Sequence, residues 1–250
     1  MKRFFLPLIV ACAVSNLHAQ TKTITDVRQL WFGYFNQSRL SDKWGLWSDF
    51  HLRTQDDFTN KLSQSIVRVG LMYYLNDAAK ATLGYAYVNY FPAEGHRDVS
   101  QPEHRVWQQL QWHTKFPRTR LMQWLRLEEK FRRKIKNDSV LAAGYSFSYK
   151  MRYNIFYEIP ITKDPSKLHA LSAVLNDELH INFGKQIVYN YFDQNRAFVG
   201  LKFNTNTHDN IQLGYMNQFQ QLAAGNRFRS AHVIRLYYFQ NLDWRRKKRT

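Results

Sequence analysis

The chain has 250 residues, with 36 Lys and Arg against 19 Asp and Glu, 16% aromatic side chains, 10 Gly, 6 Pro and a single Cys. That composition excludes a disordered, collagen-like or disulfide-stapled chain. A net charge of +17 is the signature of nucleic-acid binding only where the basic residues cluster; here only Arg245-Arg246-Lys247-Lys248-Arg249 form a block, so no nucleic-acid partner is expected.

Residues 1–19 read as an export signal: Lys2 and Arg3, an apolar stretch over 4–14, and Leu17-His18-Ala19 before a cleavage point at Gln20. A rival reading, in which Ile9-Val10-Ala11-Cys12 is a lipid-attachment box, suffers from the short apolar run ahead of the cysteine. Cleavage removes Cys12, so the mature chain, 20–250, has neither disulfide nor thiolate chemistry. Loss of Lys2 and Arg3 lowers the 36 basic residues to 34 against 19 acidic ones, a mature charge of +15. Beyond the signal the longest apolar run is at residues 69–75, far below the roughly 20 residues of a spanning helix.

The mature chain has a period of two almost throughout. After a first strand near 29–37, Leu46, Phe50 and Leu52 share a face opposite Trp47, Asp49, His51 and Arg53. Val67, Val69, Leu71 and Tyr73 then oppose Arg68, Gly70 and Met72, and Ala81, Leu83, Tyr85 and Tyr87 oppose Thr82, Gly84 and Ala86. Leu110 and Trp112 oppose Arg105, Gln109, Gln111 and His113; Leu121, Leu125, Leu127 and Phe131 oppose Arg126, Glu128, Lys130 and Arg132. Similar segments recur at 149–158, 178–183, 196–203, 211–215 and 234–238. Strand side chains alternate between faces, so each segment has one apolar and one polar face.

Such strands build either a soluble sandwich or lipocalin-like barrel, with the apolar face inward, or an outer-membrane barrel, with that face toward lipid. The export signal, the missing cysteine, strands of about 10 to 14 residues where soluble ones average five or six, and Tyr and Trp near strand ends favour the second. The expected fold is all-β: an antiparallel transmembrane β-barrel of about 12 strands (10 to 12), outer-membrane type, over 20–242, followed by a basic tail at 243–250. Its partners would be outer-membrane lipid and the barrel-assembly machinery. Eleven segments are counted; residues 21–27 could add a twelfth and restore the even number usual in bacterial barrels. Short turns at 41–43, 76–79, 116–118 and 205–209, with a longer one at 162–167, alternate with long loops at 55–62, 92–102, 136–146, 185–194 and 221–230. The short turns would face the periplasm.

Glu103-His104-Arg105-Val106-Trp107-Gln108-Gln109, Arg126-Leu127-Glu128 with Phe131, the segment 150–160, Phe192-Asp193-Gln194-Asn195-Arg196, Leu213-Gly214-Tyr215-Met216-Asn217-Gln218 and the closing 232–242 together resemble an uncharacterised group of exported barrel-like proteins, the domain of unknown function 2490. The resemblance implies an outer-membrane barrel and supplies no catalytic residue or substrate. The tail after Leu242 departs from barrels that end on an aromatic residue.

Chemistry leaves few traces. There is no phosphate-binding glycine loop, nucleophile elbow, zinc helix or calcium loop, and none of the nine histidines begins a His-x-Ser pair. No catalytic residue, metal or cofactor is therefore expected, and an enzyme is the less favoured reading. The candidate site is the inward polar ladder: Arg126, Glu128, Lys130 and Arg132 in one column, Lys150, Arg152 and Glu158 beside it, and Glu178 with His180 one strand further. Its plainest role is a plug of ion pairs; its functional role would be a cationic constriction that draws anionic solutes. Trp31, Trp47 and Trp107 fall on the same face, where packing is the ordinary reading. The expectation is a structural or small-solute, anion-preferring permeability protein of a Gram-negative outer membrane. A membrane-embedded enzyme acting on lipid or lipopolysaccharide, and a secreted soluble β-protein binding an apolar ligand, stay open as alternatives.

Overall fold

The structure is a computed structural model that describes residues 21–55, 57–164 and 168–245; the export signal with Cys12, and the tail beyond Arg245, lie outside the described residues. The strands are β1 (Thr23–Arg39), β2 (Trp44–Thr54), β3 (Leu62–Tyr74), β4 (Ala79–Tyr90), β5 (Gln101–Lys115), β6 (Arg120–Asn137), β7 (Val140–Pro160), β8 (Leu171–Phe183), β9 (Phe192–Asn204), β10 (Asp209–Gln221) and β11 (Arg227–Asp243). They close into one barrel in chain order. Neighbours are antiparallel except at the seam, where β1 and β11 run parallel from Thr23↔Arg227 to Arg39↔Asp243. The seam arises from the count. In an up-and-down chain with an odd number of strands the first and last point the same way, and closure leaves no unpaired edge for hydrocarbon to meet. Residues 23–27 are the start of β1 and make no twelfth strand.

The connections define two rims. At the turn rim lie 40–43, 75–78, 116–119, 161–164 with 168–170, and 205–208; at the loop rim lie 55 with 57–61, 91–100, 138–139, 184–191 and 222–226. Two expectations about connections need correction. Residues 136–146 form no long loop: β6 and β7 pair as far as Asn137↔Val140, with register shifts between Arg133 and Asn137, and Ser139 N donates to Asn137 Oδ1 at 3.1 Å to close a two-residue turn. Since β5 stops pairing at Glu103↔Arg132, this hairpin stands beyond its neighbours. The connection 161–170 is as long as 91–100, so length alone does not separate the rims.

Facing obeys the period-two pattern. Val67, Val69 and Leu71 are 49%, 52% and 47% exposed on the outside, while Arg68 and Met72 between and beside them are 6% and 0% exposed within. This is the inverted polarity of an outer-membrane-type barrel. Aromatic side chains band the outside near the turn rim, with Trp44 against Tyr73 at 5.0 Å and Tyr34 stacked on Tyr238 at 6.0 Å.

The inside is less uniformly polar than alternation suggests. Trp31, Val174, Phe198, Met216, Val233 and Tyr237 form one buried apolar cluster, and Trp47, Met72, Ala86 and Trp107 a second. Each leans on a glycine pair in one of two similar hairpins. Gly70 faces Gly84 across β3–β4 and Gly200 faces Gly214 across β9–β10. A Cβ on Gly84 would stand 2.5 Å from Trp107 Cε2, and one on Gly214 2.8 Å from Phe198 Cε2. The bare backbone lets each ring lie flat on the wall. The turns match as well: Asn76 Oδ1 accepts from Ala78 N at 2.8 Å, and Asn206 Oδ1 from His208 N at 2.7 Å.

Candidate functional site

Register decides which inward charges meet. β6 and β7 set Arg126 opposite Arg152 and Glu128 opposite Lys150, while β7 and β8 set Arg152 opposite His180 and Asn154 opposite Glu178. Arg126 meets a like charge directly across the ladder and Glu128 does not, yet most of the close pairs run diagonally, and a continuous chain of alternating sign results. Arg132 Nε and Arg105 Nε donate to Glu103 at 2.6 and 2.5 Å. Arg105 Nη1 reaches on to Glu128 at 3.0 Å, whose other oxygen accepts from Arg152 Nη1 at 2.6 Å. Arg152 Nε donates to Glu178 at 2.7 Å, and Arg196 lies 3.6 Å from the second Glu178 oxygen. Lys130 stands 3.8 Å from Glu103. Lys150 Nζ holds Asp193 at 2.5 Å, which also accepts from Asn182 and Gln194. Charges this dehydrated are costly unless paired and hydrogen-bonded.

This lattice fills the loop-rim half. Glu103 is 0% exposed, Glu128 1% and His180 2%, with Val88 and Ala231 equally buried on other walls. Toward the turn rim, inward side chains open to solvent: Trp124, Phe156, Asn176, Lys202 and Asn210 are half-buried, and His113, Arg120 and Asn241 are exposed. A cavity of about 350 Å³ occupies this half. The lumen is thus a vestibule reached from the turn rim and roofed by ion pairs.

Between roof and vestibule runs a belt of arginines laid on aromatic rings. Arg53 and Arg196 both sit over Trp31, at 3.7 and 4.9 Å. Arg126 lies 4.4 Å from Trp107 and 5.0 Å from Trp124, which Arg152 approaches at 5.2 Å. Arg235 lies 3.3 Å from Phe198. Such contacts are worth about 2 kcal/mol when desolvated, less than a buried carboxylate partner supplies. Arg68 has no ring contact among those described and is held instead by Asp49 and His51, its Nε 2.8 Å from Asp49 Oδ1 and its Nη2 2.6 Å from His51 Nε2.

The chain matches the model of the family described as Protein of unknown function (DUF2490) over residues 28–229. The chain belongs to this family. Within it, the match spans the roof and most of the belt and stops short of Arg235 on β11. An uncharacterised protein of Methylorubrum extorquens is 27% identical over 186 residues, covering 72% of this chain and 73% of that protein. Among solved structures, a NanC porin aligns at a TM-score of 0.45 and 11% identity, over 76% of this chain and 86% of that one.

For this member of DUF2490, all nine ladder residues face the lumen, but not as one group. Arg126, Glu128, Lys130, Arg132, Lys150, Arg152, Glu178 and His180 gather at the roof and belt. Glu158 lies apart, near the turn rim, opposite Arg120 and bound by Lys202 Nζ at 2.9 Å. Glu128 is held by arginines at both oxygens, while Glu178 Oε1 meets Arg152 and, at 3.0 Å, His180 Nε2. Trp31, Trp47 and Trp107 are inward and buried. Two acids of the roof escape a reading of the residues alone. Glu103 looks like a rim residue beside Pro102, yet is the hub for Arg105, Lys130 and Arg132; Asp193 lies at the start of β9 in what reads as loop. Glu103 stands two places from the inward Arg105, so the period could have found it. Asp193 is three places from the inward Arg196, out of phase with it, because the β8–β9 pairing shifts register beside His180.

Proposed function

We propose that the protein is an outer-membrane β-barrel that admits small anions weakly through a charge-lined lumen, with its short turns toward the periplasm. The apolar outer face with aromatic side chains near the turn rim supports the membrane setting. The observation that carries the rest is the asymmetric lumen. Arg53, Arg68, Arg126, Arg152, Arg196 and Arg235 stand at mid-height with only Asp49, Glu128 and Glu178 among them in the described residues, so the field there is positive and repels cations. The ion-pair roof restricts passage, in keeping with barrels well below the roughly 16 strands that leave an aqueous channel.

Planar-bilayer recording of protein extracted from outer membranes, and migrating heat-modifiably, tests this reading. Small currents that prefer anions are expected; large cation-selective conductance overturns it. Cysteines placed at Asn137 and Asp77, labelled on intact cells with an impermeant reagent, test the orientation. Asn137 should label and Asp77 should not, and the reverse pattern overturns the assignment of the rims.

A further inference from the structure

Two guanidinium groups of the belt lack a carboxylate partner among the described residues, and a third has only a loose one. Arg235 is 6% exposed; its Nε has no hydrogen-bond partner, and its terminal nitrogens reach only the amide oxygens of Asn176 and Gln212, at 3.5 and 3.4 Å. Arg53 donates Nη1 to Gln64 Oε1 at 2.7 Å while its buried Nε is likewise unpartnered. Arg126, 3% exposed, donates to Gln109 Oε1 at 2.8 and 2.6 Å and stands 3.9 Å from Glu128. Each has a face laid on a ring, which leaves the in-plane N–H edge as the direction from which an acceptor can arrive. All three line the same cavity of about 350 Å³, a volume within the range of small-molecule sites.

The wall between these arginines and the turn rim is not that of a simple ion path. Trp124, Phe156 and Phe239 line it, half-buried, together with the amides of Asn176 and Asn210. Water-filled ion pathways have no need of aromatic walls, whereas a ligand with a flat apolar body gains from burying it against them. The acid group of such a ligand would supply the acceptor that Arg53 and Arg235 lack, since a carboxylate presents two oxygens to guanidinium edges. A cation would meet the positive field, and a neutral ring would leave the arginines as they are.

We propose that the vestibule is a binding site for an organic anion of the aromatic carboxylate class, its carboxylate held by Arg53, Arg126 and Arg235 and its ring against Trp124 and Phe156. The proposal rests on the reading of the lumen as an anion-attracting vestibule, but the two fail separately. Anion-selective current without carboxylate binding removes the site alone; binding without any current removes the permeability reading alone.

The test is calorimetric titration of the full-length, heat-modifiable protein in detergent with benzoate, benzamide and inorganic phosphate. Benzoate should bind saturably and at least about tenfold more tightly than either of the others, a factor that corresponds to one lost charged contact or one lost ring contact. Arg53→Gln and Arg235→Gln should each weaken benzoate about tenfold or more, while both variants keep the heat-modifiable migration that reports a folded barrel. Arg245→Gln, at the turn rim outside the cavity, should bind as wild type. Benzamide equal to benzoate would show that charge is not read, and phosphate equal to benzoate that the aromatic wall is not read. Undiminished binding by both lumen variants would place any site elsewhere. Each of these results overturns the proposal.

Discussion

The two halves of the lumen use the same residue types to opposite ends. From the loop rim down to mid-height, every carboxylate of the alternating chain contacts at least two cationic side chains: Glu103 holds Arg105 and Arg132, Glu128 holds Arg105 and Arg152, and Glu178 holds Arg152 and Arg196. At mid-height and toward the turn rim, Arg53, Arg126 and Arg235 rest on aromatic rings and amides, and solvent reaches the wall beneath them. A buried charge that is saturated holds strands together; one left with only a ring beneath it keeps its donors available. The difference separates a structural roof from a surface that can still take a ligand.

Removing a roof carboxylate should have the largest effect. Glu128→Ala strips Arg105 and Arg152 of a shared partner in a dehydrated setting, and such a change costs about 3–5 kcal/mol. Urea titration of the barrel in phospholipid vesicles measures it, and a loss below about 1 kcal/mol would mean that water screens the roof as it screens a surface pair. At the turn rim the same chemistry should matter less. Lys202→Met removes the cation beside Glu158, which is itself only 5% exposed, but Glu158 has a single cationic partner where Glu128 has two and keeps Ser172 Oγ at 3.0 Å, so a cost of about 1–3 kcal/mol is expected. A cost equal to that of Glu128→Ala would erase the distinction between the halves. The smallest change is expected in the belt. Arg53→Gln gives up stacking on Trp31 worth about 2 kcal/mol but relieves a desolvated charge without a carboxylate beside it, and the two effects oppose one another. Stability close to wild type in the same titration would sharpen the contrast, whereas a loss as large as that from the roof would show that Arg53 is structural.

Much of the barrel was legible in the residues. Alternation is local: successive side chains of a strand point to opposite faces whatever the strand pairs with. Leu125 and Leu127 outside with Arg126 and Glu128 inside therefore need nothing beyond spacing, and the same holds for the eleven segments and the inward Trp31, Trp47 and Trp107. That logic reaches its end where a polar strand looks like a loop. Residues 134–137 carry Lys134 and Lys136 around Ile135, a composition that suits a solvent-facing hairpin standing beyond the barrel wall as well as it suits a loop.

The neighbours of the inward charges are a different matter. The parallel seam between β1 and β11 exists because eleven strands close on themselves, and no stretch of sequence contains both sides of it. Ion-pair partners depend on register across strands, where a shift of one residue would turn every side chain to the other face. Thus Glu103 and Glu128, on adjacent strands and 25 positions apart in the sequence, share Arg105, while Glu158, in the same ladder as Arg152, goes to Lys202 at the opposite end of the lumen. Which face a residue occupies is a property of one strand, and so the order of residues suffices to set it; the roof, the belt and the vestibule arise only when closure brings eleven such faces around one small space.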